Sequence, residues 1–225
     1  MGLILNIETS GKNCSVALAQ NGSLLMVKEF DSERYVHAEK LHLFIEEVLK
    51  GLKVSIKDLT AIAVSEGPGS YTGLRIGVAT AKGLAYALGV PLIAVSSLLS
   101  LTVAAKKKRV QGVFCPMIDA RRMEVYTCVY NDKFDCLRTT EAAVVDDEYN
   151  AYLTVGPIYY FGDGAEKCIS QLPESYIFLP KITLSASNMV EVSYEKFIKQ
   201  DFVELAYFEP FYLKEFRAGR PKKMF

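Results

Sequence analysis

The chain is poor in the residues that carry reactive chemistry. It has two histidines in 225 residues, His37 and His42. A paired-histidine metal site on one helix needs ligands at i and i+4. These two lie ~140° apart around a helix axis at ~100° per residue, and Leu41 stands where a second ligand to pair with His37 would be. Both read as solvated or capping groups, so no metal site is expected. No GxSxG elbow is present, and a Ser or Cys nucleophile would have to borrow one of the two imidazoles. The five cysteines are odd in number and never spaced as CxxC. Cys14, Cys115 and Cys128 lie in apolar runs and read as buried reduced thiols. No apolar run is long enough to span a bilayer, and Leu3–Leu5 with Ile7 is too short for a signal peptide. Met1-Gly2 also lacks the Ser or Thr at position 6 that myristoylation wants. A cytoplasmic, soluble protein without membrane contact is the expectation. Nor is there an excess of either charge: 26 basic residues face 26 acidic ones, which argues against a chain that holds nucleic acid by its own field. Lys106–Arg109 and the tail residues Arg217, Arg220, Lys222 and Lys223 read as a solvated link and tail.

What is present is half apolar, enough for one large domain or two small ones. The most informative stretch is Glu66-Gly67-Pro68-Gly69-Ser70-Tyr71-Thr72-Gly73-Leu74-Arg75-Ile76-Gly77. It follows a β-branched run and opens a helix, an arrangement in which backbone N–H groups meet anions. Yet Leu74 stands where a P-loop needs Lys, and Thr72 where the dinucleotide fingerprint needs Gly. Around it the pattern predicts strands at 3–7, 15–19 and 24–30, with an Asn21-Gly22 hairpin turn. It continues with a helix over 37–52, a strand at 60–65, a helix over 73–88 and a strand at 92–96.

The second half repeats this order: strands at 113–118, 124–130 and 134–139, a helix-prone stretch over 142–153, a strand at 159–161, the turn Gly162-Asp163-Gly164 and a short helix. Two β-β-β-α-β-α units predict an α/β, duplicated ribonuclease-H-like or actin-like (ASKHA) fold with a cleft between halves. Residues 1–104, possibly completed by 202–225, would form the first half and 105–201 the second. Nucleotide phosphates sit between the halves in that class. Thr9, Ser10, Gly162 and Gly164 are the candidates for residual nucleotide contact here, set against a reading as inherited turns whose glycines serve positive φ. A ribonuclease-H-type nuclease needs clustered carboxylates for two Mg²⁺ ions. Asn6, Glu8 and Glu66 do not supply the set, though Glu8 and Glu66 remain open as weak ligands of one ion.

The stretch Glu66–Ala79 resembles the hallmark of the bacterial tRNA threonylcarbamoyladenosine biosynthesis proteins TsaB (YeaZ). Asn6-Ile7-Glu8-Thr9-Ser10, His37-Ala38-Glu39, Asp119-Ala120-Arg121-Arg122-Met123-Glu124-Val125-Tyr126, Gly162-Asp163-Gly164 and Tyr212-Leu213-Lys214 also match. Asn6 and Glu8 depart from the usual aliphatic-then-Asp opening, and Lys214 replaces a usual Arg. The resemblance implies a non-catalytic scaffold or activator paralogue with no cofactor and no catalytic residues. It would dimerise with a metal-bearing TsaD-like subunit, work beside a TsaE-like ATPase, and meet tRNA only through the complex. A homodimer through the same helices stays open. The rival is a stand-alone actin-fold ATPase or phosphotransferase, or a glycoprotease-like hydrolase.

Gly73, Gly77, Ala81 and Ala85 recur every four residues and form a small-residue ridge beside a narrow polar sector of Arg75 and Lys82. That pattern predicts a helix buried on two sides, the second against another subunit or against a neighbouring helix of its own domain. Leu43, on the charged side of the 37–52 helix, is a further candidate partner contact.

Overall fold

A computed structural model of the chain describes residues 2–32, 36–146, 149–150 and 156–214. Two five-stranded sheets repeat one topology. The first has the order β3-β2-β1-β4-β5, from β1 (Leu3–Glu8), β2 (Cys14–Gln20), β3 (Ser23–Phe30), β4 (Ala61–Gly67) and β5 (Leu92–Ser96). The second has the order β10-β9-β6-β7-β8, from β6 (Val113–Asp119), β7 (Glu124–Tyr130), β8 (Cys136–Val144), β9 (Ile158–Phe161) and β10 (Ile177–Phe178). In each, three antiparallel strands are joined by two parallel ones added beside the first. The duplicated ribonuclease-H-like fold read from the residues is the fold observed. Asn21 and Gly22 take left-handed φ values of 50° and 78°, as a tight hairpin turn requires.

Helices α1 (His37–Gly51) and α2 (Tyr71–Leu88) cover one face of the first sheet. Leu41, Phe44, Ile45, Val48 and Leu49 of α1 join Val78, Ala81 and Ala85 of α2 over Leu5, Ile7 and Val64. Two further helices lie outside what periodicity revealed. α3 (Ser97–Lys106) starts straight off β5, capped by the Ser96 hydroxyl, and packs Leu98, Leu101 and Ala105 on Phe114 and Phe161 of the second sheet. α4 (Ala186–Ile198) covers the other face of the first sheet through Ala186, Met189 and Val190, although residues 105–201 were expected to form the second half. The helix expected over 142–153 is corrected in its first turn, because Ala142–Val144 continue β8 opposite Tyr126–Glu124. Residues 147, 148 and 151–155 lie outside the described residues.

The C-terminal segment returns to the first sheet. Val203 bridges Leu92 at the β5 edge, Lys82 Nζ donates to the carbonyls of Ala206 (3.3 Å) and Phe208 (2.8 Å), and the Phe211 N–H donates to the Glu66 carbonyl (2.7 Å). The chain then reaches the second half, where Lys214 Nζ donates to the Ala120 carbonyl (3.3 Å) and pairs with Glu124. Residues 215–225 lie outside the described residues.

Candidate functional site

The glycine-rich stretch folds against the turn that follows β1. A Cβ at Gly69 would overlap the Ser10 carbonyl oxygen, one at Gly73 the Thr9 carbonyl oxygen, and one at Gly77 the Thr9 hydroxyl. The four-residue glycine spacing therefore cuts a groove along α2 for the chain's own residues 9 and 10. Two donors at the start of α2 are engaged within the chain: the Ser70 N–H goes to the Ser10 carbonyl (2.7 Å) and the Gly73 N–H to the Ser70 hydroxyl (3.3 Å). The cradle that resembles a phosphate loop holds protein.

Thr9 and Ser10 are buried and engaged. Thr9 Oγ1 donates to the Gly73 carbonyl (2.8 Å), while the N–H and hydroxyl of Ser10 both donate to Glu8 Oε1 (2.7 and 2.6 Å). Their expected place among nucleotide contacts is corrected, since their hydroxyls face their own turn. Glu8 is fully buried, and its Oε2 has no hydrogen-bond partner among the described residues. Burial raises its pKa against the opposing pull of the Ser10 hydrogen bonds. Glu66 is also raised by burial. Among the described residues no three His, Cys, Asp or Glu side chains converge as a metal site would require.

His37 is buried rather than solvated. Its Nε2 lies 2.9 Å from the Gly11 carbonyl, and burial lowers its pKa. His42 is exposed. One imidazole thus braces the β1–β2 turn against α2 while the other faces solvent.

Gly162 and Gly164 repeat the close packing on the second sheet. Gly162 has φ 106°, and its Cβ would overlap the Met117 carbonyl oxygen; a Cβ at Gly164 would lie 2.8 Å from the Ile118 carbonyl carbon. Gly162 also borders a cleft of about 390 Å³ with Gly11, Lys12, Asn13, Asp163 and Lys181 on its walls. Leu101, Phe178, Leu179, Ile182 and Leu184 also line it; the turns after β1 and β9 share this cleft, while Thr9 and Ser10 do not reach it.

The small-residue ridge is placed inside the chain. Gly73, Gly77, Ala81 and Ala85 are all buried, the alanines in the core shared with α1 and β1. Its expected role as a partner seam is corrected: the second side of α2 is covered by α1 and residues 9–10. The opposite face of α2 shows Thr72, Ala79, Gly83 and Tyr86 to solvent, Tyr86 at 82% exposure. A Cβ at Gly83 would meet nothing within 4 Å among the described residues. Leu43, 49% exposed, is on the outer side of α1 as expected. Glycine in a helix interior costs about 1 kcal/mol relative to alanine, so Gly83, off the ridge, was the readable signal for this outer face.

The second-half counterpart of the Thr9–Asn13 turn is the β6–β7 tip. The Asp119 N–H donates to Asp163 Oδ1 (3.0 Å), and Lys167 pairs with Asp119 while donating to the carbonyls of Arg122 (2.8 Å) and Glu124 (2.7 Å). Arg121 and Arg122 project from this tip and are exposed.

A family model described as TsaD, tRNA N6-adenosine threonylcarbamoyltransferase, matches residues 33–207. The tRNA threonylcarbamoyladenosine biosynthesis protein TsaB of Bacillus subtilis is 38% identical over 135 residues, covering 58% of this chain and 56% of that protein. The protein of the same name from Escherichia coli is 28% identical over 223 residues, covering 94% of each. The solved structure of YeaZ from Pseudomonas aeruginosa superposes with a TM-score of 0.84 at 27% identity, over 95% of this chain and all of that one (100%). With the hallmark loop, the doubled sheet topology and these matches in agreement, the chain belongs to the TsaD family of tRNA N6-adenosine threonylcarbamoyltransferases, on its TsaB (YeaZ) branch.

Proposed function

We propose that the chain is a non-catalytic scaffold and activator subunit in the formation of threonylcarbamoyladenosine on tRNA, paired with a TsaD-like catalytic subunit. The observation that carries this reading is the occupation of the hallmark groove by Thr9 and Ser10. Glycines that would make room for a phosphate instead receive the chain's own turn, as does the Ser70 N–H, and Glu8 spends a carboxylate oxygen on that turn. Such a site binds no substrate and holds α2 rigidly in place.

The partner face is the outer side of α2 together with Leu43. Among the described residues nothing packs against Gly83, and small residues at 79 and 83 beside an exposed Tyr86 allow close approach of another helix. Aromatic anchors beside small residues suit an interface centre. A TsaE-like ATPase and a homodimer through the same face belong to the same reading, as does a cytoplasmic location.

The test is reconstitution of threonylcarbamoyl transfer to an unmodified tRNA transcript with a TsaD-like subunit. Transfer should depend on stoichiometric addition of this chain, and the chain alone should neither transfer the group nor hydrolyse ATP. Steady ATP hydrolysis by the purified chain alone would favour the phosphotransferase reading instead.

A further inference from the structure

We propose that the cleft at the carboxyl ends of β4 and β5 binds an organic cation, an ammonium or guanidinium on an alkyl chain, between the Glu66 carboxylate and the rings of Phe211 and Tyr212. The cleft has this character whether or not the scaffold reading holds.

Both halves and the returning C-terminal segment build its walls. β4 brings Glu66, β5 brings Ser96 and β7 brings Tyr130, while the returning segment adds Glu209, Phe211 and Tyr212 around a space of about 420 Å³. That volume is in the range of small-ligand sites. The wall made by the segment is fixed in place. The Phe211 N–H donates to the Glu66 carbonyl (2.7 Å), and the Phe211 carbonyl oxygen would lie 2.9 Å from a Cβ at position 67, which is Gly67 with φ 110°.

Charge decides the sign of the ligand. Among the described residues the walls carry two carboxylates, Glu66 and Glu209, and no Lys or Arg. The cations nearby are committed elsewhere. Lys82 donates to the carbonyls of Ala206 and Phe208, Lys196 pairs with Asp201 at 3.0 Å, and Arg75 Nη1 donates to the Tyr71 hydroxyl at 3.0 Å. Lys196 and Asp201 act on Glu66 with opposite signs, so as a pair they leave its charge nearly uncompensated. The Glu66 side chain takes no hydrogen bond or ion pair among the described residues, and burial raises its pKa. A partly buried carboxylate without a partner is unfavourable, and the contact that ties Glu66 to the segment is made by its carbonyl.

The rings decide which cation. A hard divalent ion takes oxygen ligands and would gain nothing from Phe211 and Tyr212, and Glu8 does not line the cleft to join Glu66. An ammonium or guanidinium draws on the carboxylate and on the ring faces together. The chain uses this pairing one ring away: Arg75 lies 5.4 Å from the centre of the Tyr71 ring, which packs on Tyr212 with centroids 4.9 Å apart. Phe211 and Tyr212 are 45% and 38% exposed, open to a ligand.

The experiment titrates agmatine, which carries a guanidinium and an ammonium on one butyl chain, into the full chain by calorimetry. The parent should bind it. Glu66→Gln, neutral and of the same size, should melt at or above the parent and bind about tenfold or more weakly. Tyr212→Leu, which keeps apolar bulk without a ring face, should weaken binding about two- to fivefold. No binding by the parent, unchanged affinity in every variant that folds, or equal binding of n-butanol would overturn the proposal. Displacement of agmatine by an equal concentration of magnesium chloride would mark a metal site and overturn it too. Repeating the titration on the chain mixed with a TsaD-like subunit separates the sources of the cation. Agmatine bound by the chain alone and by the complex marks a free amine, and agmatine excluded from the complex marks a Lys or Arg side chain of the partner; either result supports the site. If the two chains do not associate, the scaffold reading falls and the first titration still decides the cleft.

Discussion

Three glycines of one helix should respond to alanine with opposite signs. At Gly83 the added methyl meets nothing within 4 Å among the described residues, so Gly83→Ala keeps every contact and gains about 1 kcal/mol of helix propensity. For a chain of this size that is a rise of roughly 2–4 °C in melting temperature. At Gly73 the methyl would overlap the Thr9 carbonyl oxygen and lie 3.1 Å from His37 Cδ2. A backbone carbonyl cannot rotate aside, and His37 is held through its Nε2 by the Gly11 carbonyl. Overpacking of about 1–3 kcal/mol or more then exceeds the propensity gain, and Gly73→Ala should melt roughly 2–8 °C below the parent. Gly77→Ala should follow Gly73, with a smaller loss because the Thr9 hydroxyl it meets belongs to a side chain. Calorimetry with urea midpoints at one temperature reads all three. A Gly73→Ala variant as stable as Gly83→Ala would refute the claim that residues 9 and 10 fill the groove.

Two further outcomes follow from burial. Glu8 keeps its proton in the folded chain to higher pH than in the unfolded chain, so wild-type stability falls as pH rises from the ordinary carboxylate range through the raised folded value. Glu8→Gln should unfold at higher urea than wild type at pH 8, and the gap should close as the pH is lowered toward 4.5; a constant gap would contradict the assignment. Of the five cysteines, Cys14 and Cys115 are buried, with thiols pushed up to about 11 and about 12, while Cys136 is exposed. A disulfide reagent should titrate one fast thiol in the native protein and five in denaturant, and a second fast thiol would mean that a sheet opens.

The strands of the first half were legible as short apolar, β-branched runs bounded by turn residues, although β1, β2, β4 and β5 are buried along nearly their whole length, and α1 was legible because it has one buried and one open face. α3 was not, because Leu98, Leu101, Val103 and Ala105 are buried on several sides between the sheets, and a segment buried all round loses the helical period. α4 carried a usable signal in Ser185 ahead of Ala186, Met189, Val190 and Phe197. The strands it covers lie ninety or more residues away in sequence, beyond the reach of local pattern. The ridge of α2 was read correctly as buried on two sides. Its second neighbour proved to be the chain's own Thr9–Ser10 turn and α1, because periodicity reports that a face is buried and not by which chain. His37 was misjudged for the same reason: its burial comes from Gly11 and Gly73, neither of which adjoins it in sequence.

The central claim is that the chain acts by presenting the outer face of α2 to a catalytic paralogue. Light scattering of the chain mixed with a TsaD-like subunit, for the parent and for Gly83→Arg, tests it most directly. A long cation at an exposed helix position costs the free chain little, and in a desolvated seam it costs enough to block association. The account expects a complex of summed mass for the parent and two separate masses for a Gly83→Arg variant that melts within a few degrees of it. A Gly83→Arg variant that still forms the complex in full would contradict it.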